Sequence, residues 1–328
     1  MRKEIGSEFW SVPLSGKNGF FPKETRWFLS GRSALRCILA DIRKHTPAKT
    51  AALPAWCCDS MILPFLEAGF SLRFYPVYWE QGRLVQEVFP ADVCLVMDYF
   101  GYTGNTAAPK DAIVIRDLTH NVFSSAKDDA RYCFGSLRKW AGFYTGGFAW
   151  GLDEQELPEN ESYITMRSDA MAQKERYILG DSDSKAYLSV FGEAEDILED
   201  CRPACAAQRD ILLAQTMDIE FIRARRRENA ALLLQAFADM AIFPETGQGD
   251  CPLFVPVLVP DGKRDELRRH LIQNEIYCPI HWPLTENHKI DNRSAAIYAK
   301  ELSLICDQRY DAADMGRIIE TVKNFWKD

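Results

Sequence analysis

No apolar run in this chain approaches the roughly 20 residues that a bilayer-spanning helix needs. The first residues, MRKEIGSEFW, are charged but lead into no apolar segment of the secretory kind. A C-x-x-C pair is also missing, although there are ten cysteines; Cys57 and Cys58 are adjacent, and Cys201 and Cys205 are four apart. Such irregular spacing suits neither a zinc site nor a disulfide framework, so reduced thiols in a cytoplasmic protein are expected. Internal repeats, heptads and low-complexity linkers are absent, which argues against solenoids, coiled coils and tethered arrays. Positive charge is in deficit. The net charge is -8, which argues against a nucleic-acid-binding surface as the main function. The one basic cluster, RARRRENA from Arg223 to Ala230, is short and helical and needs only solvent or ion-pair partners.

What remains is an ordinary globular composition, 47% hydrophobic and 26% charged over 328 residues. That length accommodates one large and one small domain. After an irregular, aromatic arm over 1–28, SGRSALRCILADIRKH reads as a helix capped by Ser30. TAALPAWCC ends a strand at Pro54, and DSMILPFLEAGF reads as a helix interrupted by Pro64 and ended near Gly69. SLRFYPVY, DVCLVMDYFGY, AIVIRD, RYCFGSL and GGFAWGL read as strands. Apolar strands alternating with helices predict a mostly parallel sheet covered by helices, with ligands beyond the strands' carboxyl ends. The stretch 154–213 is charged and helical. From about residue 219, an amphipathic helix (RRRENAALLLQAFADM) is followed by an edge strand rich in proline (CPLFVPVLVP) and a helix (KRDELRRHLIQNEI). Strands IYCPIHW and ELSLICDQRY and a closing helix near Asp311 or Asp314 complete a smaller α+β domain. The expected domains are therefore 1–218 and 219–328.

The chemistry concentrates in two stretches. AIVIRDLTH, Ala112 to His120, is a buried strand ending in Asp117. YCFGSLRKWAGFYTGGFAWG, Tyr132 to Gly151, sets Lys139 between an aromatic-rich strand and a glycine pair. A strand-end aspartate followed by a lysine in a small-residue, aromatic-walled turn is what pyridoxal 5'-phosphate (PLP) chemistry needs. The lysine holds the aldehyde as a Schiff base, and the carboxylate keeps the pyridine nitrogen protonated. The plainer alternatives are a solvated loop lysine and a turn aspartate.

Together these segments resemble the DegT/DnrJ/EryC1/StrS family of PLP-dependent aminotransferases, in the fold-type-I superfamily. SGRSAL, Ser30 to Leu35, is similar to the family's S-G-T-S-A-L. LPAWCCDSMILPFLEAGF, VCLVMDYFGY, VIRDLTH, GSLRKWAGFYTGGFAWG and the C-terminal run KRDELRRHLIQNEIYCPIHWPL follow in the family's order. The specificity lies in that order and spacing.

The resemblance implies a large α/β domain with a seven-stranded type of sheet, a small C-terminal α+β domain, and transfer of an amino group. The donor would be glutamate- or glutamine-like, and the acceptor a keto compound such as a nucleotide-linked keto-sugar. Lys139 would be the Schiff-base lysine and Asp117 the pyridinium partner. His120 would lie near the phenolic oxygen, or serve as a buried core histidine. Gly31, Arg32 and Ser33 at the helix start would meet the phosphate, with Ser136 beside them; simple capping by Ser30 is the alternative. Trp56 would stack on the ring or be a core tryptophan, since the family's stacking aromatic falls where this chain has Cys58. The family's partner-directed asparagine has no counterpart in KERYILGDSDSKAYLSVF.

A cytoplasmic homodimer with shared sites follows from the resemblance. The loop aromatics Tyr99, Phe100, Tyr102, Trp140, Phe143 and Tyr144 point the same way, as surface that a second subunit would bury. Other readings are a PLP enzyme of another class, a dehydratase or an amino-acid-directed transaminase, and a non-catalytic PLP-fold binding protein.

Overall fold

The computed structural model describes residues 4–16, 19–103, 109–124 and 130–327. The first strands are β1 (Ile5–Gly6), β2 (Arg26–Phe28), β3 (Thr50–Pro54), β4 (Ser71–Tyr75), β5 (Val77–Glu80) and β6 (Arg83–Gln86). Those that follow are β7 (Val93–Met97), β8 (Ile113–Asp117), β9 (Tyr132–Ser136), β10 (Gly147–Trp150), β11 (Val255–Leu258), β12 (Ile276–Tyr277) and β13 (Glu301–Leu304). The helices are α1 (Gly31–His45), α2 (Asp59–Glu67), α3 (Glu161–Leu179), α4 (Tyr187–Asp200) and α5 (Gln208–Thr216). They continue with α6 (Ile219–Phe237), α7 (Arg264–Gln273), α8 (Asn292–Lys300) and α9 (Ala312–Phe325).

The chain falls into two compact units. One comprises Met1–Lys3, Glu8–Pro47 and Tyr132–Asp218; the other comprises Glu4–Ser7, Ala48–Arg131 and Ile219–Asp328. The units divide the chain by contact, whereas the domains 1–218 and 219–328 divide it in sequence; both change over at Asp218.

In the first unit β2, β10 and β9 form an antiparallel set in that order, with Phe148 facing Trp27 on one side and Gly135 on the other. Helix α1 packs on these strands. Its apolar stripe of Ala34, Leu35, Ile38, Leu39 and Ile42 is buried. Ser30 caps it as the sequence predicts, its side chain accepting from Ser33 N at 3.1 Å. Helices α3 and α4 lie against each other.

In the second unit β4, β3, β7 and β8 are parallel in that order. All five residues of β7 are buried, as the continuous apolar run requires of an inner parallel strand. Each such valine or leucine contributes about 1.5–3 kcal/mol by leaving water. A separate core gathers α6, α7, α9, β11 and β13 around Leu233, Val257, Leu271, Leu304 and Ile318. Helix α9 begins with the capping box of Asp311 and Asp314. The α/β class with a mixed sheet is thus as expected, and seven strands of the expected kind are present, four parallel and three antiparallel.

Several local expectations need correction. Pro64 does not interrupt α2 but lies inside it. SLRFYPVY divides at Pro76 into β4 and β5, because proline has no N–H for the ladder; β5 pairs with β6 as a hairpin. IYCPIHW is a strand only at Ile276–Tyr277, paired with β1 of the supposedly irregular arm. The cluster at Arg223 is no solvated face throughout. Arg226 is fully buried, donating from Nε to Gln308 Oε1 at 2.8 Å and from Nη1 to the Leu253 carbonyl at 2.8 Å. Among the described residues the ten cysteines form no disulfide. Among the described residues no helix is long and apolar enough to cross a membrane.

Candidate active site

The first unit holds the start of α1 and the lysine loop. The glycine pair explains how they come together. A Cβ on Gly147 would lie 2.2 Å from the Ser30 carbonyl oxygen and 2.9 Å from Gly31 N. Only glycine lets the start of α1 lie this close to β10. Gly31 in turn abuts β9, where its Cβ would be 3.5 Å from Ser136 Cβ. Gly31, Arg32, Ser33 and Ser136 therefore share one locality. Ser33 N is committed to Ser30; the first N–H groups of any α-helix precede the carbonyls of its own ladder. The Arg32 side chain turns away, donating to the Leu198 carbonyl at 3.0 Å, so its contribution here is its backbone.

Lys139 ends a one-turn 3-10 segment, Leu137–Lys139, directly after β9, and it is exposed in the single chain. The loop behind it is firmly held. Thr145 donates both N–H and hydroxyl to Asp210 Oδ2 at 2.7 Å, and Asp210 is 1% exposed. The neighbouring Arg138 pairs with Glu195, which also accepts from the buried Arg167.

The second unit contains the candidate carboxylate. Asp117, at the end of β8, is buried, and its Oδ1 accepts from Thr119 N at 2.7 Å. Among the described residues it forms no ion pair. Burial pushes its carboxyl up to about 6, and the Thr119 hydrogen bonds only partly oppose this. One residue earlier, Arg116 turns to the opposite face and donates to Asp98 Oδ2 at 3.0 Å; Asn121 Nδ2 donates to the same oxygen at 3.0 Å. Burial nevertheless raises the Asp98 carboxyl above its ordinary range.

His120 is buried in an aromatic group. Its ring centroid is 4.8 Å from Phe100 and 5.5 Å from Trp282, stacked on the latter at 25°. Phe100 has φ 56 and ψ 24, a left-handed conformation uncommon for a side-chain-bearing residue. Trp56 is fully buried and stacks on Tyr99 at 4.7 Å, and its Nε1 donates to the His281 carbonyl at 2.7 Å.

Tyr99, Phe100, Tyr102, Trp140 and Phe143 are each at most 2% exposed in the single chain, and Tyr144 is half-buried. All but Tyr144 are therefore buried without a second subunit, contrary to expectation. The sequence reading also missed His281 and Trp282, which it placed in a strand, and the Asp98–Arg116–Asn121 cluster. A histidine and tryptophan between Pro279 and Pro283, where a ladder cannot continue, were the available signal.

A scan against protein-family models finds no match, and neither does a search of curated protein sequences. The solved structures are more informative. The aminotransferase PseC of Helicobacter pylori, involved in the biosynthesis of pseudoaminic acid, superposes with a TM-score of 0.65 at 13% identity, covering 98% of this chain and 100% of PseC. The sugar aminotransferase CalS13 of Micromonospora echinospora gives 0.59 at 16% identity, covering 97% and 99%. A DegT DnrJ EryC1 StrS aminotransferase of Brucella abortus gives 0.59 at 14% identity, covering 92% and 85%. The chain has the fold-type-I architecture of these aminotransferases over nearly its whole length. Its fold neighbours are of the type that its motifs resemble.

Proposed function

We propose that this protein is a PLP-dependent aminotransferase. It takes an amino group from a glutamate- or glutamine-like donor and places it on a keto-sugar carried by a nucleotide. Asp117 carries the reading. It is a buried carboxylate with one backbone donor and no ion-pair partner among the described residues, and burial raises its pKa to about 6. Such a group costs stability unless a cation joins it, and a protonated pyridine nitrogen is a cation of suitable size. Other solved structures of the fold occur in a PLP-form and a PMP-form.

PLP, when bound, supplies a ring that withdraws electrons from the carbon bearing the amino group. The residues of this chain do the rest. Asp117 holds the proton on the ring nitrogen. The Gly31 and Arg32 N–H groups hold the phosphate, with the Ser33 and Ser136 hydroxyls beside them, at the positive end of the α1 dipole. His120 would lie near the phenolic oxygen, while Trp56 and Tyr99 would form the aromatic wall. The Lys139 amine would hold the aldehyde as a Schiff base and, once displaced by the donor's amine, would be free to act as the base that moves a proton from the donor Cα to the cofactor carbon.

The working form is a cytoplasmic homodimer with shared sites. Its support is the exposure of Lys139 in the single chain, with Leu179, Leu188 and Leu212 each at least half exposed on the same unit. The domain roles follow the sequence division, with 1–218 for the cofactor and 219–328 as the small domain. The test is the absorption spectrum of PLP-loaded protein during titration with a panel of amino donors. One donor should convert the aldehyde band to the pyridoxamine band, and a keto-sugar nucleotide should reverse it. A band that no donor alters contradicts the reading.

A further inference from the structure

Glu301, the first residue of β13, is fully buried, and both its carboxylate oxygens face donors. Oε2 accepts from the His281 backbone N–H at 2.6 Å, and Oε1 accepts from the Ser303 hydroxyl at 2.6 Å. Ser303 is also fully buried, and its Oγ lies 2.9 Å from His281 Nδ1. A serine hydroxyl has one proton. That proton is committed to the acceptor-only carboxylate, so the contact with the imidazole must run from Nδ1–H to Oγ. His281 is thereby restricted to the Nδ1–H tautomer, the opposite of the one an imidazole prefers in water, and Nε2 carries a lone pair.

Nε2 forms no hydrogen bond with the described residues. The imidazole sits among the rings of Phe100 and Phe254 at 5.1 Å, Trp282 at 5.3 Å and His120 at 5.6 Å. Its side chain is 11% exposed. The arrangement is a carboxylate–hydroxyl–imidazole relay whose imidazole ring lies 5.6 Å from that of His120.

We propose that Glu301 and Ser303 are positioning residues that fix this tautomer, so that His281 Nε2 accepts the proton of a substrate hydroxyl. The substrate O–H bond breaks as the Nε2–H bond forms. The resulting imidazolium is balanced by Glu301, whose Oε1 is 3.7 Å from Nδ1. The substrate's identity rests on the aminotransferase reading; the tautomer does not.

The test uses full-length protein labelled with 15N-histidine, at a pH where the imidazoles are neutral. With five histidines in the chain the spectrum is tractable, and His281→Gln identifies the signal by its loss. His281 is expected as a pure Nδ1–H tautomer. Ser303→Ala should shift it toward the Nε2–H form, and Ser303→Thr should restore it. In PLP-loaded protein, Ser303→Ala should lower kcat roughly tenfold or more with the cofactor absorption band unchanged. An Nε2–H tautomer in wild-type protein overturns the proposal, and that result is available even where Ser303→Ala fails to fold. An unchanged tautomer in folded Ser303→Ala overturns it too. A confirmed tautomer in a protein that transfers no amino group removes the functional reading and leaves the relay in place.

Discussion

Arg116 Nη1 donates to Asp98 Oδ2 at 3.0 Å, and both side chains are more than 90% buried. The pair joins the ends of β7 and β8, one residue from Asp117. Asp98→Ala would leave the Arg116 guanidinium without its carboxylate in a dry site. The expected loss is about 3 kcal/mol or more, measured by chemical denaturation. A loss near the ~0.5 kcal/mol of a surface ion pair would show that the pair adds nothing to strand alignment.

Asp117 gives opposite predictions for stability and turnover. Its folded-state pKa of about 6 lies above its ordinary 3.8, so the cofactor-free folded state holds more protons than the unfolded state in between. Its contribution to stability is present below about pH 4 and is lost as pH rises through about 6. Asp117→Asn should therefore stabilise cofactor-free protein at neutral pH by up to about 3 kcal/mol, with the gain vanishing in acid. The same substitution should slow transamination roughly a hundredfold or more, because the ring nitrogen loses its counter-charge. Thermal melts across pH and single-turnover rates check the two halves separately. A stabilised variant with full activity would falsify the assigned role.

Gly147→Ala should separate α1 from β10. Its Cβ would stand 2.2 Å from the Ser30 carbonyl, a backbone atom that cannot swing away. The expected cost is about 1–3 kcal/mol, together with a weaker PLP affinity read by titration. Gly192→Ala in α4, where the added methyl meets nothing within 4 Å, is the control; it should gain about 0.5–1 kcal/mol and leave PLP binding alone.

A homodimer is expected by sedimentation at micromolar concentration and below. Changing Leu179 and Leu212 together to glutamate should weaken it, as both side chains are more than half exposed in the single chain. A monomer that binds PLP and turns over would contradict the shared-site arrangement.

Much of the fold was legible where local chemistry decides it. Ser30 and Asp311 announce helix starts because their side chains satisfy first-turn N–H groups, and the run Val93–Met97 announces a buried parallel strand. Asp117 was visible because it ends such a strand. The His281–Ser303–Glu301 relay was not, because His281 lies on a different segment from Glu301 and Ser303 of β13 and meets them only through tertiary packing. Arg226 looked like one charge in a basic run; its partners are backbone carbonyls and Gln308, which no composition rule reveals. Helix α8 was missed because it is only nine residues long.

The central claim is that Lys139 holds the cofactor, and borohydride reduction of PLP-loaded protein tests it most directly. Reduction should fix one pyridoxyl group per chain, and peptide mass spectrometry should find it on Lys139, within the segment Leu137–Trp140. Lys139→Ala protein should take up no label. A label on a different lysine, or none at saturating PLP, would contradict the account.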